Sequence, residues 1–434
     1  MNMSVKDMII SVGGTPGAIT ASLNHYRPNR VIFFCSRRTG EDVEAIKRNL
    51  HYTLRDTEKI LTEDAESLGE CYTALKVQLP KIISNWKIQP ANLTVDYTGG
   101  TKTMSAALVL VGVEITNQFS YVGGTERTKG GVGVVVDGRE RTIMAENPYT
   151  QMAVFEMVKI VAFFNTARYK DAMDLCQETL KRLGPDGDIV VRRSIDCLRS
   201  YADAFLRWDN FNPNFGLFKK ALKENEDLSG LAERPGFKDI FSKAQPLNNH
   251  LEGLTAGDEN RKNLAFIVDL FANAVRRAEW ENKFDDAVAR LYSVLERVAR
   301  FRLLEKYGID NSKIQDRDIC KYLSEQEWAR FKEKFHIIST KDKKDEFFVQ
   351  TGLKTSYFLL AELNDDLGRK AQTQWSEIEE RLNLRNKSPL AHGTTPVSEI
   401  VYTKFKDFVL DFLKTMNIPI DNLPQFPHLD ASLF

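Results

Sequence analysis

The chain has 434 residues, with 60 Lys+Arg balanced by 60 Asp+Glu, 42% apolar and 28% charged. That length predicts two or three domains, and the composition excludes a disordered chain. Zero net charge excludes a protein that coats nucleic acid or an anionic membrane by bulk electrostatics, and leaves room for a small local nucleic-acid site. The longest apolar stretch, Met104 to Val113, is cut by Glu114, well short of the roughly 20 residues of a membrane span. The first residues carry Asp7 and only a strand-length apolar run, which does not read as a secretory signal. The five cysteines (Cys35, Cys71, Cys176, Cys197, Cys320) are scattered without a CxxC pair. A reduced, cytoplasmic protein without structural zinc is expected.

Glycine and proline, the poorest helix formers, divide the chain. Residues 1–140 hold 14 of the 25 glycines, and no proline occurs between Pro246 and Pro389. The division falls near Pro148. Met8–Val12 reads as a strand running into Gly13-Gly14-Thr15-Pro16-Gly17, and Ala18–Tyr26 as a helix. Arg30–Cys35 (RVIFFC) has the aromatic and β-branched run of a buried strand. Glu41–Leu54 and Ala65–Trp86 read as helices. Leu93–Tyr97 is a strand leading through TGGTK into a helix, Met104–Ile115. Phe119–Val122 and Val132–Val136 are strands, with a last hairpin strand near Arg141–Met144. This order predicts an open, mainly parallel, Rossmann-like sheet with helices on both faces.

The remainder is helical by pattern. Tyr169, Ala172, Cys176 and Leu180 form one apolar stripe; Phe284, Val288, Leu291, Leu295 and Val298 form another on a longer helix. Residues 210–260, richer in Asn, Gly and Pro, are expected to be loops between two helical blocks. The fold class is α/β plus all-α, with an α/β domain at 1–147, a helical linker or insertion at 148–255 and a helical domain at 256–434.

Strands of an open parallel sheet end at one edge, where ligands bind. Three loops are expected there: Gly13 to Gly17, Ser36 to Thr39, and Thr98 to Thr103. Their glycines allow backbone N–H groups to approach an oxyanion, and a following helix adds its positive end. Thr and Ser add hydroxyls, and Lys102 with Arg37 or Arg38 adds charge. The set fits a phosphate-bearing or polyanionic ligand. Adjacent Gly13 and Gly14 break GxGxxG, and Thr101 between Gly100 and Lys102 breaks GxxxxGK[ST]. Neither a dinucleotide cofactor nor a nucleoside triphosphatase is indicated.

Of the six histidines, none has a metal-ligand partner three or four residues further along the chain. His25 is placed in a surface turn, His51 mid-helix, His250 in a loop region and His428 in the Pro-rich tail. His392 stands out, closing Leu384-Arg385-Asn386-Lys387-Ser388-Pro389-Leu390-Ala391-His392-Gly393. On a continuous helix Arg385 and His392, about two turns apart, share a face. Pro389 breaks that geometry, and Ser388 is expected to cap a fresh turn. Arg, a polar amide and His suit metal-free RNA cleavage: histidine moves a proton near neutral pH, and arginine holds the scissile phosphate. The ribose 2′-OH attacks the adjacent phosphate, leaving a 2′,3′-cyclic phosphate and a 5′-OH. Arg330 and His336, one residue closer together, form a rival pair inside an ordinary amphipathic helix and read as structural.

The GGTPG loop after the first strand and DYTGGTK at 96–102 resemble the ligand-contacting motifs of CARF domains, the CRISPR-associated Rossmann-like sensors of cyclic oligoadenylate. RNKSPLAH at 385–392 resembles the Arg-to-His signature of HEPN ribonucleases, and residues 284–303 the long helix of that domain. Together they are similar to the ancillary ribonucleases of type III CRISPR systems. The resemblance implies a homodimer with one pocket across the two-fold axis for cyclic tetra-adenylate or cyclic hexa-adenylate as allosteric activator. It implies ring contacts from Thr15, Gly99, Gly100, Thr101 and Lys102, to which the reading of the edge loops adds Gly13, Gly14, Ser36 and Arg37. It also implies a composite site for single-stranded RNA with Arg385, Asn386 and His392 from each protomer, and no cofactor. Some relatives cut the ring slowly, which would implicate Thr15 and Thr101. The alternative is a sensor without catalysis that dimerises and docks a partner.

Overall fold

Strand β1 (Asp7–Ser11) is buried along its whole length. Met8 and Ile10 point to one face and Ile9 to the other, each fully covered. Such two-sided burial belongs to a central strand of a parallel sheet. The computed structural model describes residues 5–14, 16–124, 126, 139–232, 240, 242–256, 259–341, 346–390, 393–418 and 423–430. It divides into two compact units, Met1–Phe155 and Glu156–Phe434.

In the first unit β1 lies between β2 (Arg30–Ser36) and β4 (Leu93–Asp96), with Ile9 opposite Ile32 and Val95. The sheet order is β3-β2-β1-β4-β5-β6, where β3 is Asp56–Thr62, β5 Gln118–Gly124 and β6 Glu140–Glu146. All pairs are parallel except β5–β6, the expected hairpin. Helices α1 (Pro16–Tyr26) and α2 (Val43–Arg48) cover one face through Ile19, Leu23, Val43 and Ile46. Helices α3 (Leu68–Trp86) and α4 (Lys102–Ile115) cover the other through Leu75, Leu79, Leu108 and Val111.

Sequence patterning misses β3. Its DTEKILT sequence is mostly exposed, so it lacks the apolar run of β2. Charged residues are the normal protection of an edge strand. The expected helix 41–54 ends at Arg48, because the chain must straighten to pair β3 with β2; His51 therefore follows the helix. Val132–Val136 lies outside the described residues.

The second unit is built from helices, among the described residues, with one two-stranded hairpin (Thr340–Lys341 with Phe347–Phe348). Its first helices are α5 (Val154–Asn165), α6 (Tyr169–Leu183) and α7 (Ile189–Asp209). The loops expected over 210–260 hold two helices, α8 (Phe215–Ala232) and α9 (Leu247–Ala256), and His250 sits in the second. Their Asn and Gly residues lie within helices that tertiary packing stabilises against weak propensity. Then follow α10 (Glu259–Glu279) and α11 (Phe284–Tyr307). Val288, Leu291, Leu295 and Val298 of the expected stripe are wholly buried, with Phe284 at its margin. They pack with α12 (Glu325–Lys334), α13 (Leu353–Glu362), α14 (Asp366–Thr373), α15 (Trp375–Asn386) and α16 (Glu399–Thr415). On α6, Tyr169, Ala172 and Cys176 are buried, with Thr179 taking the place of the partly exposed Leu180. Among the described residues no helix is long and apolar enough to cross a membrane.

Phe33 is fully covered, whereas Leu61 on the edge strand is 40% exposed. Phe33→Ala is expected to cost about 3–5 kcal/mol and Leu61→Ala about 0.5 kcal/mol or less in urea titrations of the full chain followed by circular dichroism. Equal losses at the two positions would contradict the layer assignment.

Candidate functional site

Two places gather the residues singled out above, one in each unit. In the first unit the loops after β1 and β4 meet backbone to backbone. A Cβ on Gly13 would stand 2.4 Å from the Gly100 nitrogen, and one on Gly99 would stand 2.3 Å from the Ser11 carbonyl oxygen. Gly100 has φ +82°, the left-handed region that favours glycine. Ser11 Oγ donates to Gly99 O at 2.6 Å and Ser105 Oγ to the same oxygen at 2.9 Å. Gly14 faces open space. Thr15 lies outside the described residues.

Each loop feeds a helix. Thr101 caps α4, accepting from Met104 N at 3.2 Å, and its hydroxyl donates to Ala65 O at 2.5 Å. The first turns of α1 and α4 contain no acidic residue. Their unpaired N–H groups and positive ends are therefore uncompensated from within the helix. Lys102 is exposed at the start of α4, without an ion pair among the described residues. Ser36 and Arg37 end β2 at the same sheet edge. There Ser36 bonds Thr39 within its own turn and Arg37 pairs with Glu63 at 2.8 Å. Thus the structure joins Gly13, Gly99 and Gly100 directly, sets Lys102 beside them in sequence, and gives Ser36 and Arg37 other partners.

Asp96, unremarked in the sequence, organises this edge. It is fully buried and accepts from Ser22 Oγ at 2.5 Å, Ser120 Oγ at 2.6 Å and Thr98 N at 2.9 Å. Burial raises its pKa, while these hydrogen bonds pull the other way. One side chain thereby ties α1, β5 and the glycine loop to the end of β4. The signal for it was DYTGG itself: an acid at a strand end before a glycine turn.

In the second unit Arg385 and Asn386 are the last two residues of α15. Arg385 Nη1 donates to Asn386 Oδ1 at 3.1 Å, and its guanidinium carbon lies 5.0 Å from the centre of the Tyr292 ring on α11. Arg385 Nε is buried and has no hydrogen-bond partner among the described residues. Burial, then the Glu296 carboxylate, raise the Tyr292 phenol above its ordinary range, against the pull of Arg385. The phenol stays protonated at neutral pH, keeping an O–H donor near the arginine. Patterning missed Tyr292, because one aromatic in an amphipathic helix carries no signal of its own.

The helix that carries Arg385 does not run on past Pro389. α15 stops at Asn386, and no fresh helical turn starts at Pro389. Proline lacks an N–H and crowds the preceding turn. Instead the chain doubles back: Gly393 N donates to Ser388 O at 3.1 Å and Thr395 N to Lys387 O at 3.0 Å. Ser388 is buried. Val397 N then reaches the Asp285 carboxylate on α11 at 3.2 Å. A Cβ on Gly393 would stand 1.9 Å from Lys387 O, so this closure requires glycine. His392 itself lies outside the described residues. The rival Arg330 bonds its own helix at Gln326 O, 3.4 Å away.

Gly393→Ala is expected to open the 387–395 loop. Hydrogen exchange at the Thr395 amide should accelerate about tenfold or more, equivalent to roughly 1.4 kcal/mol of lost protection. An unchanged rate would contradict the closure.

The Csm6 HEPN domain family matches residues 256–416, which include α11, α15 and the Arg385 loop. Csm6 from Enterococcus italicus, solved bound to cyclic hexa-2′-fluoro-hexa-dAMP, superposes over 95% of this chain and 95% of its own, at 14% identity and a TM-score of 0.53. Can2 from Sulfobacillus thermosulfidooxidans, in complex with cyclic tetra-adenylate, aligns over 52% of this chain and 69% of its own, at 11% identity and a TM-score of 0.24. No curated protein matches the sequence. The chain has the fold of the solved Csm6, a Rossmann-like parallel sheet followed by a helical region, and its residues 256–416 match the Csm6 HEPN domain.

Proposed function

We propose that the protein is a cyclic-oligoadenylate-activated, metal-independent endoribonuclease of a type III CRISPR system, cutting single-stranded RNA as a cytoplasmic homodimer. The observation that carries the reading is the Arg385–Asn386 pair at the end of α15, in a loop closed by Gly393 next to His392, inside the segment matching a Csm6 HEPN domain. Residues 1–147 form the sensing domain, 148–255 the helical link and 256–434 the nuclease domain.

In this reading two Arg385–His392 sets, one per protomer, flank the scissile phosphate. A histidine takes the proton of the ribose 2′-OH as that oxygen bonds to phosphorus. The bond from phosphorus to the 5′-oxygen breaks, and the leaving oxygen receives a proton. The products are a 2′,3′-cyclic phosphate and a 5′-OH. Arg385 stabilises the extra negative charge of the transition state, and the Asn386 amide oxygen on Arg385 Nη1 holds the guanidinium in place. Histidine titrates near neutrality and needs no metal to move the proton.

The ring would sit at the carboxyl edge of the sheet. Gly13, Gly14, Gly99 and Gly100 bring backbone close, the starts of α1 and α4 supply N–H groups, and Lys102 supplies charge. Ser36 and Arg37 would join by leaving Thr39 and Glu63. The ligand in E. italicus Csm6 supports a ring of six units. Ring binding activates only if it favours the RNA-competent state of the dimer. A slow ring cut belongs to the same proposal, with Thr15 and Thr101 as the residues beside the ring's 2′-OH.

The test is cleavage of a fluorescent single-stranded RNA in EDTA, with and without cyclic tetra- or hexa-adenylate. Ring-stimulated cutting is expected, with His392→Ala and Arg385→Ala each slowed at least ~100-fold while ring binding stays intact. Lys102→Ala is expected to weaken ring binding about tenfold and to flatten its salt dependence. Ring binding without cutting by the native protein would favour a sensor that docks a partner, and full activity in His392→Ala would overturn the site.

A further inference from the structure

Most arginines of the nuclease unit's central helices have carboxylate partners. Arg290 pairs with Asp286 at 3.0 Å and Arg302 with Asp365 at 2.9 Å. Arg297 and Arg300 on α11 differ. Arg300 makes only a loose ion pair with Asp310 at 3.9 Å, too long for a hydrogen bond. Arg297 has no ion pair or hydrogen bond among the described residues, and its guanidinium carbon lies 4.5 Å from the centre of the Phe266 ring. Desolvation, then the Arg300 charge, lowers the Arg297 pKa from its ordinary value. Two like charges three residues apart on one helix repel each other, which disfavours the helix unless an anion lies between them.

The two arginines line a polar hollow of about 370 Å³ with Ser293, Glu296, Asn311 and Thr351. Of the lining residues, Arg297 and Arg300 outnumber Glu296, while the Asp310 carboxylate stands off at 3.9 Å from Arg300. The hollow adjoins the Arg385 centre along one helix: Tyr292, under the Arg385 guanidinium, precedes Ser293. At 1.5 Å per residue, Arg297 lies roughly 7.5 Å and Arg300 roughly 12 Å along α11 from Tyr292. Glu296, Arg300, Ser293 and Arg297 form one contiguous arc beside the Tyr292 face.

We infer that this hollow is a subsite for a phosphodiester of the RNA strand flanking the cut, held by Arg297 and Arg300. The inference rests on the nuclease reading above and adds to it a place for the substrate beyond the scissile bond. Arginine fits this role because its guanidinium is always charged, is weakly hydrated and bonds phosphate in two-pronged fashion. Phe266 holds the Arg297 plane from below, so little side-chain freedom is lost on binding.

The test uses the full-length double variant Arg297→Ala/Arg300→Ala, with Arg297→Lys/Arg300→Lys as the charge-conserving control. On a long single-stranded RNA the alanine variant should raise KM about tenfold and leave kcat within about twofold, with the lysine variant between it and the native protein. The slope of log affinity against log salt should fall by about 0.7, the value for one phosphate contact on a single strand. A dinucleotide substrate, too short to span both places, should be cut equally by all three proteins. Binding of an uncleavable 2′-deoxy oligonucleotide, read by fluorescence anisotropy, should weaken about tenfold in the alanine variant. Unchanged oligonucleotide binding, or equal loss on long and dinucleotide substrates, would overturn the subsite. A native protein that binds the oligonucleotide through these arginines and cuts no RNA would count against the nuclease reading alone.

Discussion

An element buried on every side has only its ends left for chemistry, and this constraint fixes the candidate site of the first unit. β1 is covered on both faces and paired along both edges, so what it offers is the loop after Ser11. β4 lies beside it in register and ends at the same level, which is why Gly13 and Gly100 touch. Side chains there would hold the strands apart. Glycine lets the backbones close. The single carboxylate of Asp96, bonded to Ser22, Ser120 and Thr98, keeps the loop from relaxing.

α11 in the second unit is buried on one face only, so its free arc is what remains for chemistry. Its buried face is committed to the core from Ala287 to Leu303. The remaining arc carries Tyr292, Glu296, Arg297 and Arg300. Against that arc lie Arg385, over Tyr292, and the loop end at Val397, on Asp285. Gly393 has the same part as Gly13 and Gly99, because it permits a backbone approach that a Cβ would forbid.

The sequence is most readable where one physical demand dominates. Two-sided burial writes RVIFFC into β2, and a single core face writes the 3–4 spacing into α11. Glycine loops show because only glycine permits their contacts. Legibility fails where demands compete. β3 is an edge strand, and its Glu58 and Lys59 hide it. α8 and α9 carry Asn and Gly inside helices that packing sustains, so composition suggests loops where helices stand. Asp96 and Tyr292 are matters of tertiary placement, and a single residue of common type cannot announce that. The Arg385–His392 spacing is legible, and so is the break at Pro389; the loop closed by Gly393 is not, because it rests on tertiary contacts.

In the proposed mechanism, chemistry at the end of α15 is driven by a ring bound elsewhere in the chain. Mass-spectrometric analysis of the RNA ends made by the native protein in EDTA tests this most directly. The predicted products carry 2′,3′-cyclic phosphate and 5′-OH ends, and they accumulate only when cyclic oligoadenylate is present. Products bearing 5′-phosphate and 3′-OH ends, or the same yield with and without the ring, would contradict it.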